Sequence, residues 1–317
     1  MGSPSDSTDP CPSPAGHRLD DDAPLVACGP FECFGQRWLI RTSDLDLAPF
    51  LDELFDPMRA HDKGSGTETE FILVPTCDGK PGWVRRGLEV IRKGVHGHRL
   101  LEALMWSINR HVIGQPSRER LVLHAAGADL RGLAVLLPAP MESGKTTLVT
   151  ALLDRGFAYL SDEAIAVDTA LEVEGYPKPL SIDQGSWEVL SHHMPEVAEP
   201  IRDYFTSQWQ VATQRFAPVV RHSRLTLLVF PRYEAGAELQ VERLDGAAVV
   251  TEALQSVFTP ESERTPVPRI RLLVRLAEQV PCAKLVYGEL DAACRWIEAE
   301  LALQRDHTNT VRERFHP

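Results

Sequence analysis

An apolar run at 133–137 passes through Pro138-Ala139-Pro140 and Met141-Glu142-Ser143 into Gly144-Lys145-Thr146-Thr147-Leu148. A strand that turns on glycine into a helix opening Lys-Thr is the shape of a phosphate-binding loop. Such a loop aims backbone N–H groups and a helix N-terminus at phosphate oxygens. Its lysine neutralises charge on the β- and γ-phosphates, and its threonine hydroxyl ligates Mg²⁺. Here Lys145 and Thr146 take those roles, with Ser143, Gly144 and Thr147 completing the phosphate contacts. The pattern thus calls for an α/β fold with a strand, the loop and a helix in direct succession. The plain alternative is an ordinary strand–turn–helix connection with a glycine near the helix start.

Two positions depart from G-x-x-x-x-G-K-[ST]. Ala139 stands where the first glycine belongs, and Glu142 brings a carboxylate into a loop built to attract anions. Alanine is a small change where the backbone keeps φ negative and strained otherwise. Glu142 is compatible with phosphate only with its side chain turned to solvent.

A chain of 317 residues with 43% hydrophobic and 25% charged residues can bury a core. Its formal net charge of −12 argues against sequence-independent nucleic-acid binding, which needs a basic surface. The local basic cluster Arg85, Arg86, Arg92 and Lys93 reads as a solvated helix face. The cysteines, Cys11, Cys28, Cys33, Cys77, Cys282 and Cys294, form no C-x-x-C pair, so their spacing suggests neither a zinc site nor a disulfide framework. The N-terminus lacks a secretory pattern and a myristoylation pattern, and no apolar run spans a bilayer. A soluble, cytoplasmic protein with no membrane partner is expected.

Along the chain, 1–24 is Ser/Pro/Asp-rich and expected to be a disordered tail. A smaller N-terminal α/β unit of unknown role covers 25–116, with strands at 31–40 and 71–75 and helices at 47–54 and 100–112. The turn at 116–118 opens the main domain, 117–305, and 306–317 is expected to be a flexible end. In the main domain 121–129 and 133–137 read as paired strands, 144–154 as a helix stopped by Gly156, and 157–160 and 164–168 as strands. Further on come a helix at 186–191, a strand at 225–230, a strand then helix across 239–258, and a short strand at 283–287. Ile270, Leu273, Val274 and Ala277, like Leu290, Cys294, Ile297 and Leu301, recur at helical spacing and read as core.

The second acidic element narrows the chemistry. The strand at 225–230 ends in Pro231-Arg232-Tyr233 with no acid, whereas Asp162-Glu163 arrives on the strand just past the loop's helix. At the carboxyl edge of the sheet this pair would lie near the γ-phosphate and Mg²⁺. One carboxylate can accept a hydroxyl proton while the other holds metal, and we assign Asp162 to the first role and Glu163 to the second. A surface Asp-Glu at a strand end is the alternative.

Three segments together carry a resemblance: His124-Ala125-Ala126-Gly127-Ala128-Asp129, the loop ending Ser143-Gly144-Lys145-Thr146-Thr147-Leu148, and Arg155-Gly156-Phe157-Ala158-Tyr159-Leu160-Ser161-Asp162-Glu163. They resemble the catalytic core of HPr kinase/phosphorylase and its relatives, a P-loop fold shared with phosphoenolpyruvate carboxykinase. The resemblance covers about 120–168, and its acid pair departs from the family's Asp-Asp. It implies a mixed sheet flanked by helices and ATP-dependent, Mg²⁺-dependent transfer to a hydroxyl, serine being the expected one, of a peptide or small protein. Relatives are thought to phosphorylate precursor peptides in peptide-modification pathways. It also implies an active-site role for His124, although a lone histidine after three apolar residues is commonly a buried structural one. A family arginine that clamps phosphate has no clean match. Lys178 and Arg232 are candidates, each with the reading of a solvated surface charge beside it. The related enzyme is hexameric, so an oligomer is possible. Two other functions fit the same residues: a non-catalytic peptide- or partner-binding module on a kinase fold, motivated by Ala139 and Glu142, and a kinase of free serine or another small alcohol.

Overall fold

The structure, a computed structural model, describes residues 24–61, 68–77, 79–114, 120–140, 143–258 and 267–315. The expected tail at 1–24, apart from Pro24, the turn at 116–118 and Glu142 lie outside them, as does Cys11. Two sheets and six helices make up most of what is described.

The first sheet has the order β1(Val26–Cys33), β2(Gln36–Thr42), β3(Glu68–Val74), β4(Gly82–Arg86), β5(Glu89–Gly94). The stretch expected as one strand at 31–40 is a hairpin. Phe34 and Gly35 both take positive φ, 49° and 73°, the backbone of a two-residue turn whose twist matches its strands. The basic cluster expected on a helix face lies instead on the β4–β5 pair. There Arg85 sits over the Trp83 ring, and Arg86 Nη2 is 3.3 Å from His111 Nδ1. α1(Leu47–Leu54) opens where the Asp44 carboxylate accepts the N–H groups of Asp46 and Leu47. It buries Leu47, Leu51 and Leu54 against β1 and β2, each side chain contributing roughly 1.5–3 kcal/mol. α2(Gly97–Ile113) covers β3, β4 and β5.

The second sheet has eight strands: β6(Leu121–Asp129), β7(Leu133–Pro138), β8(Ala158–Ser161), β9(Ala164–Val167), β10(Glu172–Gly175), β13(His222–Tyr233), β14(Gln240–Leu244) and β15(Cys282–Tyr287). Between β10 and β13, β11(Leu180–Asp183) and β12(Gln208–Val211) form a separate pair. The order is β10-β9-β6-β7-β13-β15-β14, with β8 on β6. β10 also pairs with the first residues of β13, which closes β10-β9-β6-β7-β13 into a ring. β7, β13 and β15 run parallel. α3(Lys145–Leu153) follows β7, α4(Gly246–Leu254) and α5(Val267–Gln279) pack on each other, and α6(Leu290–Phe315) packs on α3 and β15.

Two further sequence expectations change. The helix at 186–191 is replaced by two single 3₁₀ turns, Gln184–Ser186 and Ser191–His193. The buried stripe of α5 is Arg269, Leu272, Leu273 and Leu276, while Ile270 and Val274 are each 41% exposed. Apolar residues there occupy more than half the helix circumference, so periodicity alone misplaced the face. α6 runs as helix through 306 to Phe315.

One core crosses residue 117. Phe31, Trp38, Phe55, Phe71 and Leu104 pack in the same cluster as Val122, Ala164, Ala166 and Tyr176. Tyr176 Oη donates to Asn109 Oδ1 at 2.9 Å, and Arg120 pairs with Glu174.

Candidate active site

Strand pairing assembles the site around His124 and Ala125. On one side of β6, Ala125 pairs with Pro138, the last residue of β7 before the loop. On the other side β6 is shared by two strands, since Gly127 pairs with Ser161 at the end of β8 and His124 with Ala164 at the start of β9. The jog between β8 and β9 is Asp162-Glu163. Ser161 Oγ caps it by accepting the N–H groups of Glu163 and Ala164, each at 3.0 Å, and the Glu163 carbonyl accepts the N–H of Ala125. The loop and the acid pair therefore meet across one strand.

Gly144 takes φ 86° and ψ 9°, the left-handed conformation that L side chains rarely adopt, and from it α3 begins. A Cβ there would stand 3.2 Å from Tyr287 Oη and 3.3 Å from Tyr233 Cβ. Lys145 is 6% exposed, and its Nζ donates to the carbonyls of Ala139 at 2.8 Å and Pro140 at 2.6 Å. Burial pulls its ammonium down to about 8, against the upward pull of Glu163 and Asp162. Thr147 Oγ1 lies 2.8 Å from Ser186 Oγ, so this hydroxyl ties the helix to the next segment. The Thr146 carbonyl accepts from Thr150 Oγ1. Among the described residues, Ser143 Oγ and Tyr287 Oη are buried with no hydrogen-bond partner, and buried polar atoms are normally paired.

Asp162 is 5% exposed and fixed on both oxygens. Oδ1 accepts the Tyr159 hydroxyl at 2.8 Å and lies 2.8 Å from Lys178 Nζ, while Oδ2 accepts the N–H of Ser181. Burial first, then the Asp162 charge, pushes the Tyr159 phenol well above its ordinary value, so it acts as a donor. Lys178 is 4% exposed and also donates to the Pro179 carbonyl and to Ser181 Oγ, which passes the network to Gln210. It is therefore not a solvated charge. Arg232 is one: its side chain is 66% exposed and pairs with Glu234 at 2.8 Å.

Glu163 is less constrained. Its Oε1 lies 4.0 Å from His124 Nε2, and burial, helped by the neighbouring Asp162, raises its proton affinity against the pull of Lys178 and Lys145. His124 packs edge-on against Phe258, and burial, with the Lys145 and Lys178 cations nearby, brings its imidazole down to about 4 despite Asp162. It is neutral at pH 7. The structure thus gathers Lys145, His124, Asp162 and Glu163 and adds Lys178. Tyr159 and Ser181, which orient Asp162, have no signature in the sequence. Lys178 was visible there only as a cation between two prolines.

No protein-family model matches the chain, and no curated protein does. Among solved structures, that of the Hpr(Ser) kinase/phosphatase from Coxiella burnetii is similar over 59% of this chain and 98% of that one, at 11% identity and a TM-score of 0.32. A likeness at that score fixes neither fold nor activity.

Proposed function

We propose that the chain is an ATP- and Mg²⁺-dependent kinase that transfers a γ-phosphoryl group to a hydroxyl, serine being the expected one, of a peptide or small protein. The observation that carries the proposal is a buried lysine at the mouth of a strand–glycine–helix loop, facing a carboxylate pair across a single strand. The two loop carbonyls that hold it carry no formal charge, and phosphate oxygens in their place would bring the negative charge that a buried ammonium favours. The Ser143 hydroxyl beside it, with no partner among the described residues, is a further donor for the same group.

Thr146 and Glu163 would hold Mg²⁺, a hard cation that takes oxygen ligands, and bound there it would supply neutralising charge to the phosphates. Glu163 suits that role because its carboxylate is not tied down by the hydrogen bonds that fix Asp162. Asp162 positions the acceptor hydroxyl and receives its proton. Phosphoryl transfer passes through a loose transition state in which orientation matters more than base strength, so a rigid, ion-paired carboxylate serves it. Lys178 sets that carboxylate from behind. His124, neutral, offers a hydrogen bond to Glu163 or to a phosphate oxygen. The mechanism needs no cation from Arg232.

Protein given γ-labelled ATP and serine-containing peptides should transfer label, and free serine offered alone separates a small-alcohol kinase. Asp162→Asn should lower transfer by at least about 100-fold while leaving nucleotide binding in place, the lower end of the range for a single acid–base group. Undiminished transfer by that variant would remove Asp162 from its role.

One observation favours a second reading, a non-catalytic binding module. Lys145 is satisfied by the loop's own carbonyls, so the loop can close on itself without phosphate. Nucleotide titration separates the two.

A further inference from the structure

The far end of α3 holds a second group of chemically competent side chains. Asp154 follows the helix directly, and two consecutive histidines from the turn Ser191–His193 face it. His192 Nε2 lies 3.0 Å from Asp154 Oδ2 and His193 Nε2 lies 2.8 Å from Oδ1. One donor atom from each of the three lies within 4.8 Å of the others. We propose that Asp154, His192 and His193 form a zinc site, three protein ligands with water as the fourth.

Two imidazoles and a carboxylate are a ligand set that Zn²⁺ takes, at about 2.0–2.1 Å for nitrogen and about 2.0–2.2 Å for oxygen. The two histidine–carboxylate separations need to open only by tenths of an ångström to admit it. The helix adds to the attraction, because the C-terminal end of α3 presents the negative end of its dipole to the same point. The neighbouring cation does not compete. Arg155 is committed to Glu298 and Asp291, at 2.7–2.9 Å. The ligands are also held in place. The His193 side chain is 6% exposed with its ring 4.2 Å from that of Phe216, and the Asp154 N–H bonds to the Thr150 carbonyl.

The site is separate from the phosphate loop. Nine residues of helix, at about 1.5 Å each, place it roughly 13 Å from Lys145. Its effect would reach the loop through the chain between, because Ser186, in the segment just ahead of the histidines, bonds Thr147 at the start of α3. Zinc would staple the segment 184–193 to both ends of the helix that carries the phosphate loop.

The test uses the full chain, free of any histidine tag and stripped with chelator, titrated with Zn²⁺ by calorimetry and with Co²⁺ by visible absorption. One equivalent of each should bind, with a tetrahedral cobalt spectrum that zinc displaces and a melting temperature raised by zinc. His192→Gln changes an exposed ring, so it tests binding without disturbing the core. It and Asp154→Asn should each weaken binding by more than about 100-fold, beyond the loss of an outer-shell partner. Glu163→Gln should leave zinc binding unchanged. No zinc binding, or binding indifferent to His192→Gln and Asp154→Asn, would overturn the proposal and leave three side chains that only hydrogen-bond one another.

Discussion

Lys145 shows at the scale of one residue how a site is held at a cost to stability. Its ammonium, ordinarily near 10.5, stands at about 8 in the fold, so the folded state disfavours the proton. Below pH 8 that penalty is fully present, about 3 kcal/mol, and it falls away as pH rises from 8 to 10.5. His124 behaves likewise at lower pH. Its penalty is absent above 6.5 and complete near 4, so stability is lost as pH falls through that window. Comparison of each variant with wild type isolates the two groups: the stability gained by His124→Asn should grow as pH falls from 6.5 to 4, and that gained by Lys145→Met should shrink as pH rises from 8 to 10.5. Lys145→Met should stabilise the nucleotide-free protein by about 1–3 kcal/mol in urea unfolding while removing phosphate binding. Asp162 and Lys178 are coupled in the opposite sense. Asp162→Asn leaves a buried, unpaired cation and should cost about 3–5 kcal/mol, whereas Asp162→Asn with Lys178→Met should recover most of that stability and none of the transfer. At this scale the loop lysine and the acid pair were legible because their chemistry depends on local spacing. Lys178 was legible only as a candidate cation, since its burial is made by Asp162 and Ser181, which lie close only after β11 has folded back.

Among the elements, the β8–β9 jog does most to build the site, and one glycine makes room for it. A Cβ on Gly175 would lie 2.3 Å from the Leu160 carbonyl oxygen and 3.0 Å from its Cα. These are backbone atoms that cannot rotate away, and Leu160 directly precedes Ser161-Asp162-Glu163. Gly175→Ala should cost about 1–3 kcal/mol and shift the acid pair, lowering transfer more than nucleotide binding; unchanged kinetics would mean that the strands adjust without moving it. The strands β6, β7, β9, β13 and β15 were readable because each is an apolar run bounded by turn residues. β4, β5, β10, β11 and β12 were not, since Arg85, Lys93 and Glu174 break the alternation of β4, β5 and β10, and β10, β11 and β12 pair with strands distant in sequence. The His192-His193 pair falls in the same class. Cysteine spacing is a local signal, while these histidines meet Asp154 only through tertiary structure.

On the scale of the whole molecule, the first sheet and the site share one core. Val122, Ala164 and Tyr176 bury their side chains against residues of 25–116, so a chain begun at 117 would expose them. Such a truncation should lose cooperative unfolding and aggregate, measured by calorimetry against the full chain, and a sharply melting, nucleotide-binding fragment would refute that dependence. Among the described residues no helix is long and apolar enough to cross a membrane. Kinase activity requires phosphate to reach Lys145 in place of the carbonyls that now hold it. Calorimetric titration of the full chain with ATP and Mg²⁺ tests this most directly. The expected result is one site per chain, lost in Lys145→Met although that variant is folded and more stable. No binding at millimolar nucleotide, or equal binding by Lys145→Met, would contradict it.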